Sequence, residues 1–278
     1  MEPIVTAENV SFAYPGTSQS ALRNVTLRIP AGKRTALCGH NGSGKSTFFL
    51  QAAGLHQPSE GRMLWGDSPY SYRSAALREL RQRIGLVLQD PEHQLILNTP
   101  REDISYGLRN AGFSEQEIAR RTAQSLAAMG LEALADTPLH HLSIGLKKRV
   151  ALAGVLVLEP KLLLLDEPTA YLDRASERRL VDELNRAHDS GITVVMATHD
   201  MDLAYAWADW VIIMDGGRVV MEGEPTAIFR DRAALLALGL EQPLLMELWQ
   251  SLPSEAAGEG AAPRTKEQFK RFLSERVR

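Results

Sequence analysis

The stretch GHNGSGKST, residues 39–47, constrains the fold of this chain more than any other. It follows KRTALCG, a run that reads as a buried strand, and leads into an apolar helix expected over residues 45–53. Gly54 then offers the left-handed residue that commonly ends a helix. Strand, glycine-rich turn and helix in this order match G-x-x-x-x-G-K-[ST], a pattern that the bare sequence reaches by chance in roughly one chain in a hundred of this length. The flanking elements therefore carry the specificity. Physically the turn is an anion cradle. Gly39, His40, Asn41, Gly42, Ser43 and Gly44 present backbone N–H groups, and the helix start at Lys45, Ser46 and Thr47 adds its positive dipole end. Lys45 is expected to neutralise phosphate charge, and Ser46 to ligate Mg²⁺.

Two further strand ends bear on the same chemistry. KLLLLDEP, residues 161–168, contains a short, fully apolar run suited to a buried parallel strand, and it ends in adjacent carboxylates. Asp166 is placed to hold the Mg²⁺ shell, and Glu167 to polarise a water for attack on a γ-phosphate. Standing alone, an acidic pair is as readily the polar end of a strand; beside a phosphate loop it reads as catalytic. MATHD places His199 just past another strand, expected over residues 192–197. A lone histidine there is commonly incidental. Open parallel sheets, however, bind ligands at the carboxyl ends of their strands, so Gly39, Asp166 and His199 are expected to converge on one edge.

The remaining pattern sets the organisation. Strand-like runs open the chain, IVTAENVSF and ALRNVTLRI, and recur at residues 62–65 and 83–88. From about residue 90 to 158 the pattern turns mostly helical. Pro100 fits a first helical turn, Ser114 and Glu117 have capping-box spacing, and Gly130 would end that second helix. The sheet resumes at residues 162–165, a helix follows at 175–187, and strands at 210–214 and 218–221 flank the turn DGG. Beyond Pro225 helical segments at 227–238 and 243–252 precede SEAAGEGAAP, and a last helix starts at Thr265 with Gln268 in capping-box register. The chain thus divides into residues 1–224, a nucleotide-binding domain with a helical subdomain at about 90–158, and residues 225–278, a small helical appendage.

Bulk properties exclude several classes. Apolar residues make up 44% and charged residues 23% of 278, as in an ordinary globular enzyme. A net charge of −3 gives no electrostatic reason to expect nucleic acid as a partner. Cys38 is the single cysteine, which rules out an intrachain disulfide and reads as a small buried apolar residue. MEPIVTAENV lacks the basic and apolar regions of a secretory signal, and the longest apolar stretch is broken by Glu159, Pro160 and Lys161. A cytosolic protein that meets a membrane through a partner is expected. His40, His93, His140 and His141 show no metal-ligand spacing and read as surface or loop residues.

In order along the chain stand FAYPG, the phosphate loop, VLQDPEHQL, LSIGL, LLLLDEP, AYLD and ATHD. This series resembles the ATP-binding cassette family over about residues 3–223. The resemblance implies an α/β fold: a P-loop NTPase core with a mostly parallel sheet, an N-terminal antiparallel β-subdomain, a helical signature subdomain and the C-terminal appendage. It implies an ATPase using ATP and Mg²⁺, with two cassettes closing head to tail so that one subunit's phosphate loop and the other's signature share each ATP. Carried over residue by residue, Tyr14 stacks on adenine, Gln89 touches Mg²⁺ and the attacking water, and Asp173 reaches across the dimer. His199 contacts the γ-phosphate, while Ser143 and Gly145 complete the other subunit's site. For Tyr14 the competing reading is a packed aromatic, with Phe12 as its replacement.

The finer resemblance is to the energy-coupling-factor branch, above all the cobalt and nickel importer ATPases. QDPEHQL with its second glutamine Gln94, KKRVALAGVLVLEP after the signature, and the C-terminal extension carry it. It implies a peripheral ATPase on the cytoplasmic face of the cell membrane, in a homodimer or heterodimer of cassettes. The cassettes dock on a transmembrane coupling protein that works with a substrate-binding membrane component. Cobalt, nickel and a vitamin all remain open as cargo. The family usually has glycine at Ile144, glutamine at Leu146 and often glycine at Tyr171, so dimer closure is expected to be weakened here. Two other readings compete: a soluble cassette protein acting on ribosomes or DNA, and a P-loop kinase or GTPase. The single cassette and slightly acidic charge oppose the first, and Asp166–Glu167 with LSIGL and ATHD the second.

Overall fold

A computed structural model describes residues 2–253 and 261–276. Alternation of buried and exposed residues in β2 (Ser20–Pro30) lets it lie against β1 (Pro3–Ala13) with one face inward. They pair antiparallel, and β4 (Glu60–Trp65) and β5 (Ser68–Pro69) extend the sheet in the order β2-β1-β4-β5. The second sheet is built from buried, nearly continuous apolar strands. These are β3 (Arg34–Cys38), β6 (Ile84–Val87), β7 (Leu162–Asp166), β8 (Thr193–Thr198) and β9 (Trp210–Asp215), with β10 (Arg218–Gly223) at one edge. Its order is β10-β9-β3-β8-β7-β6, parallel throughout except for β10. The antiparallel subdomain and parallel core are as the sequence implied.

The register positions the chemistry. Cys38 pairs with Thr198 across β3 and β8, and Asp166 with Ala197 across β7 and β8. The residues that follow these strands, Gly39, Glu167 and His199, therefore emerge at one edge. Helix α1 (Lys45–Ala52) packs Phe48 and Phe49 into a core between the two sheets, together with Val5, Ile29, Leu37 and Leu164. A second core holds Leu163, Leu165, Val194 and Met196 against the helical insert.

That insert contains α3 (Pro100–Asn110), α4 (Glu115–Ala128) and α5 (Ile144–Leu156). Pro100 sits in the first turn of α3, capped by Thr99, and Gly130 follows the end of α4 with φ +59°. Only half of the expected capping box forms on α4: Ser114 Oγ accepts from Glu117 N at 3.3 Å, whereas the Glu117 carboxylate is taken by Arg120 and Arg121. Helix α2 (Ser74–Arg83) had no counterpart in the sequence reading; Leu80 is its one buried residue, too little apolar pattern to reveal it.

Helix α6 (Arg174–Asp189) lies between β7 and β8 in the chain, and α7 (Met201–Trp207) precedes β9. The single helix expected at 227–238 is broken. Asp231 leaves the helical conformation and caps a new start, accepting from Ala234 N at 3.0 Å, so that α8 (Pro225–Arg230) gives way to α9 (Arg232–Ala237). Helices α10 (Leu244–Gln250) and α11 (Lys266–Arg276) follow, and residues 254–260 of the glycine/alanine-rich stretch lie outside the described residues. Thr265 and Gln268 form the reciprocal box expected of them, each bond 3.2 Å. Phe229, Leu235, Leu240, Met246 and Ala262 belong to the same buried cluster as the parallel sheet. Arg264 adds bonds to the Tyr205 and Ala208 carbonyls. Among the described residues no helix is long and apolar enough to cross a membrane.

Candidate nucleotide site

The phosphate loop turns where a side chain cannot follow. Gly39 has φ +146°, and a Cβ there would stand 2.2 Å from the Met214 carbonyl oxygen, so the loop passes directly over the end of β9. Behind it Lys45 is buried, its Nζ donating to the Gly39 carbonyl at 2.7 Å and the His40 carbonyl at 3.1 Å. The lysine is thereby held along the loop whose phosphate ligand it would neutralise, 3.7 Å from Glu167 Oε1.

A cleft of about 410 Å³ lies over this loop, lined by residues 41–47 together with Tyr14, Ala21, Gln89, Asp166 and Glu167. Asp166 and Glu167 are 8% and 5% exposed. Burial pushes the Asp166 carboxyl above the usual aspartate range, against a hydrogen bond from Ser46 that favours ionisation. Asp166 Oδ1 and Glu167 Oε1 are both buried without a hydrogen-bond partner among the described residues. Buried carboxylate oxygens are costly to leave unmet, and their position suits a cation and a water. Ser46, Asp166 and Gln89 share the cleft, an all-oxygen donor set appropriate to Mg²⁺.

Glu167 has φ +43°, unusual for a residue with a side chain. Its Oε2 accepts from His199 Nδ1 at 2.9 Å, so in this structure the histidine reaches the cleft through the glutamate. Tyr14 lies at the cleft wall, its hydroxyl 3.2 Å from Thr47 Oγ1 and its ring edge-on to Phe12. Phe12 is packed in the core between the sheets and stacks on His56, which separates the two aromatic candidates.

Ser143, Gly145 and Asp173 do not line this cleft. Ser143 is exposed at the start of α5, where its Oγ accepts from Leu146 N at 3.4 Å. A Cβ on Gly145 would come within 3.2 Å of Ser176 Oγ, so that half-buried position is tight against α6. Asp173 caps α6, accepting from Ser176 N at 2.7 Å, and that bond holds its carboxyl below the usual range. Of the three departures, Ile144 is exposed and Leu146 half-buried against the core, while Tyr171 takes φ +64° with its ring in solvent. The left-handed backbone at Tyr171 is the conformation for which glycine is the usual residue.

Three contributors escaped the sequence reading. Lys148, buried at 2% exposure, donates to the Glu167 carbonyl at 3.2 Å and the Pro168 carbonyl at 2.9 Å. Gln94, noted only as a marker, clamps the end of β6 by accepting from Leu88 N at 2.9 Å and donating to the Leu86 carbonyl at 3.2 Å, just before Gln89. The sequence reading has His40 serve the phosphate cradle through its backbone; its ring, to which that reading gives no partner, has Nε2 3.0 Å from the Leu238 carbonyl oxygen of the C-terminal segment. The phase of α5 offered a signal for Lys148; nothing local pointed to the His40 contact, which joins residues 198 apart.

An anion cradle facing two buried carboxylates across the open end of a parallel sheet defines a P-loop ATPase. Comparison with known proteins gives the family. The ABC transporter family profile matches residues 22–170. The cobalt import ATP-binding protein CbiO of Rhodobacter capsulatus is 43% identical over 248 residues, 89% of this chain and 88% of that protein. The energy-coupling factor transporter ATP-binding protein EcfA of Carboxydothermus hydrogenoformans is 41% identical over 251 residues, 90% and 91% of the two chains. The solved structure of cbiO1 from Clostridium perfringens, described as part of the ABC transporter complex cbiONQ, superimposes with a TM-score of 0.76 at 38% identity. That match covers 90% of this chain and all of the other. The chain belongs to the ABC transporter family, as an ATP-binding subunit that hydrolyses ATP with Mg²⁺.

Proposed function

We propose that this chain is the motor of an energy-coupling-factor importer for cobalt or nickel ions. Its similarity to CbiO spans 89% of the chain, more than residues 1–224 can supply, and so runs into the C-terminal segment. We read residues 1–224 as the nucleotide-binding domain and 225–278 as an appendage packed on it. The subunit works as a cassette pair, identical or mixed, bound peripherally at the cytoplasmic face of the membrane to a coupling protein and a substrate-binding component. The docking region lies beyond Gln89, where a groove of about 300 Å³ is lined by Glu92, Leu95, Leu97, Leu139, His140 and Lys147. Ile96 stands 59% exposed among the neighbouring residues.

In the catalytic reading, the backbone of residues 39–47 and Lys45 bind the phosphates, and Tyr14 stacks on adenine. Ser46, Asp166 and Gln89 would hold Mg²⁺, which would supply charge to offset the phosphates. Glu167 takes the proton of the attacking water on Oε1, while His199 holds Oε2 and so fixes which oxygen is free. Ser143 and Asp173, exposed away from the cleft, and the half-buried Gly145 complete the site of the opposing cassette, with the α5 N-terminus aimed at its γ-phosphate.

The observation that carries hydrolysis is the buried Glu167 Oε1, which accepts no hydrogen bond among the described residues and lies 3.7 Å from Lys45 Nζ. Glu167→Gln is expected to bind MgATP with near-normal affinity and to lose ATPase activity by about 10²–10⁴-fold. Wild-type turnover in that variant would remove Glu167 from the role. Affinity purification of Glu167→Gln from membranes with ATP tests the partners: a metal-binding membrane component supports cobalt or nickel, and a vitamin-binding one redirects the cargo.

A further inference from the structure

After the signature come Lys147, Lys148 and Arg149, and Lys148 is the buried one, with 2% of its surface exposed. A charged amine is kept inside a protein only where it is paired or hydrogen-bonded. Here the acceptors are two successive carbonyls, those of Glu167 and Pro168, at 3.2 and 2.9 Å. The Glu167 and Asp90 carboxylates act on it from nearby, although burial dominates and lowers its pKa to about 8.

Those carbonyls belong to an unusual piece of backbone. Glu167 sits at φ +43°, a left-handed conformation that a residue with a side chain keeps only where its surroundings hold it. The turn decides where the Glu167 side chain leaves the chain after β7, and hence where Oε1 lies relative to Lys45. Lys148 is also on the same rigid helix as Ser143 and Gly145, whose first turn begins at Ile144. A displacement of that helix against β7 acts first on the two bonds from Lys148.

We propose that Lys148 is a positioning residue for ATP hydrolysis: it fastens the left-handed turn at Glu167 and ties that turn to the helix carrying the signature. The proposal rests on the reading of Glu167 as the group that polarises water. Lys148 is not among the residues that line the cleft; it acts through the glutamate.

The test is a double-mutant cycle on the full chain with MgATP. Lys148→Met keeps the stem and removes the donors. It is expected to lower kcat on the order of 100-fold, the scale of a misplaced catalytic group, while the KM for ATP stays within about twofold. Added to Glu167→Gln, the same change is expected to cost less than about twofold more, because the group it positions is gone. A loss from Lys148→Met that repeats in full on top of Glu167→Gln, or a kcat unchanged by Lys148→Met, overturns the proposal. If Lys148→Met does not fold, Lys148→Leu, which likewise has no donor, takes its place in the cycle. Full turnover in Glu167→Gln alone is a separate failure, that of the water-polarising assignment.

Discussion

Leu146→Gln puts numbers on the oddity of the signature. Leu146 is the third residue of α5, and its N–H already meets Ser143 Oγ at 3.4 Å, one half of a capping box. A glutamine there can turn back to the Ser143 N–H and supply the other half, about 0.5–1 kcal/mol. Against this, the leucine packs half-buried on the main core, and giving up half of a leucine's burial costs about 1 kcal/mol. The two terms nearly cancel. Thermal unfolding of the monomer should therefore move by no more than about 2–4 °C. Dimer closure has no such compensation, because a new amide donor near each of the two shared phosphates adds a bond to a charged group, about 1.5 kcal/mol per site and about 3 kcal/mol, or about a hundredfold in affinity, for the pair. Light scattering of the Glu167→Gln form with MgATP, with and without Leu146→Gln, reads this as dimer forming at about one-hundredth of the protein concentration. If dimerisation and the ATPase rate of the otherwise native enzyme are both unchanged, the clamp at Leu146 is not weakened and the argument fails.

Two smaller predictions concern other elements. Cys38 is fully buried, and burial pushes its thiol up to about 12, so iodoacetamide at pH 8–9 should label it only after unfolding; rapid labelling of native protein refutes this reading. The linkage has a definite sign: above the unfolded thiol's pKa the unfolded chain releases this proton while the folded one keeps it. The Cys38 contribution to stability is therefore lost as pH rises from about 9 toward about 12, a loss that Cys38→Ala should abolish. Gly239 has φ +69° and would place a Cβ 3.1 Å from His40 Nε2, so Gly239→Ala should cost about 1–2 kcal/mol in urea unfolding. An unchanged midpoint would show that the turn over the phosphate loop is not held in that conformation.

What the sequence displayed and what it hid follow from how far each feature reaches along the chain. The phosphate loop, the acidic end of β7 and the Thr265–Gln268 box are local: a few adjacent residues fix backbone conformation and hydrogen bonds together, so their spacing was readable. Helix α2 was hidden because it buries one residue, and the break at Asp231 because an N-cap inside a helical run looks like an ordinary polar position. ATHD marked His199 and the phosphate loop contained His40, but the contacts of their rings with Glu167 and with the Leu238 carbonyl join residues far apart in the chain, which no local pattern shows. Lys148 is the instructive intermediate. Three basic residues stand in a row, yet Ala151 and Leu152 lie three and four positions on from Lys148, both are buried, and helical spacing puts Lys148 on their side. Helical phase alone thus implies a buried cation at this position. Only the three-dimensional arrangement adds that its acceptors are the carbonyls at the left-handed turn of Glu167, where a hydrogen bond can act on the catalytic carboxylate.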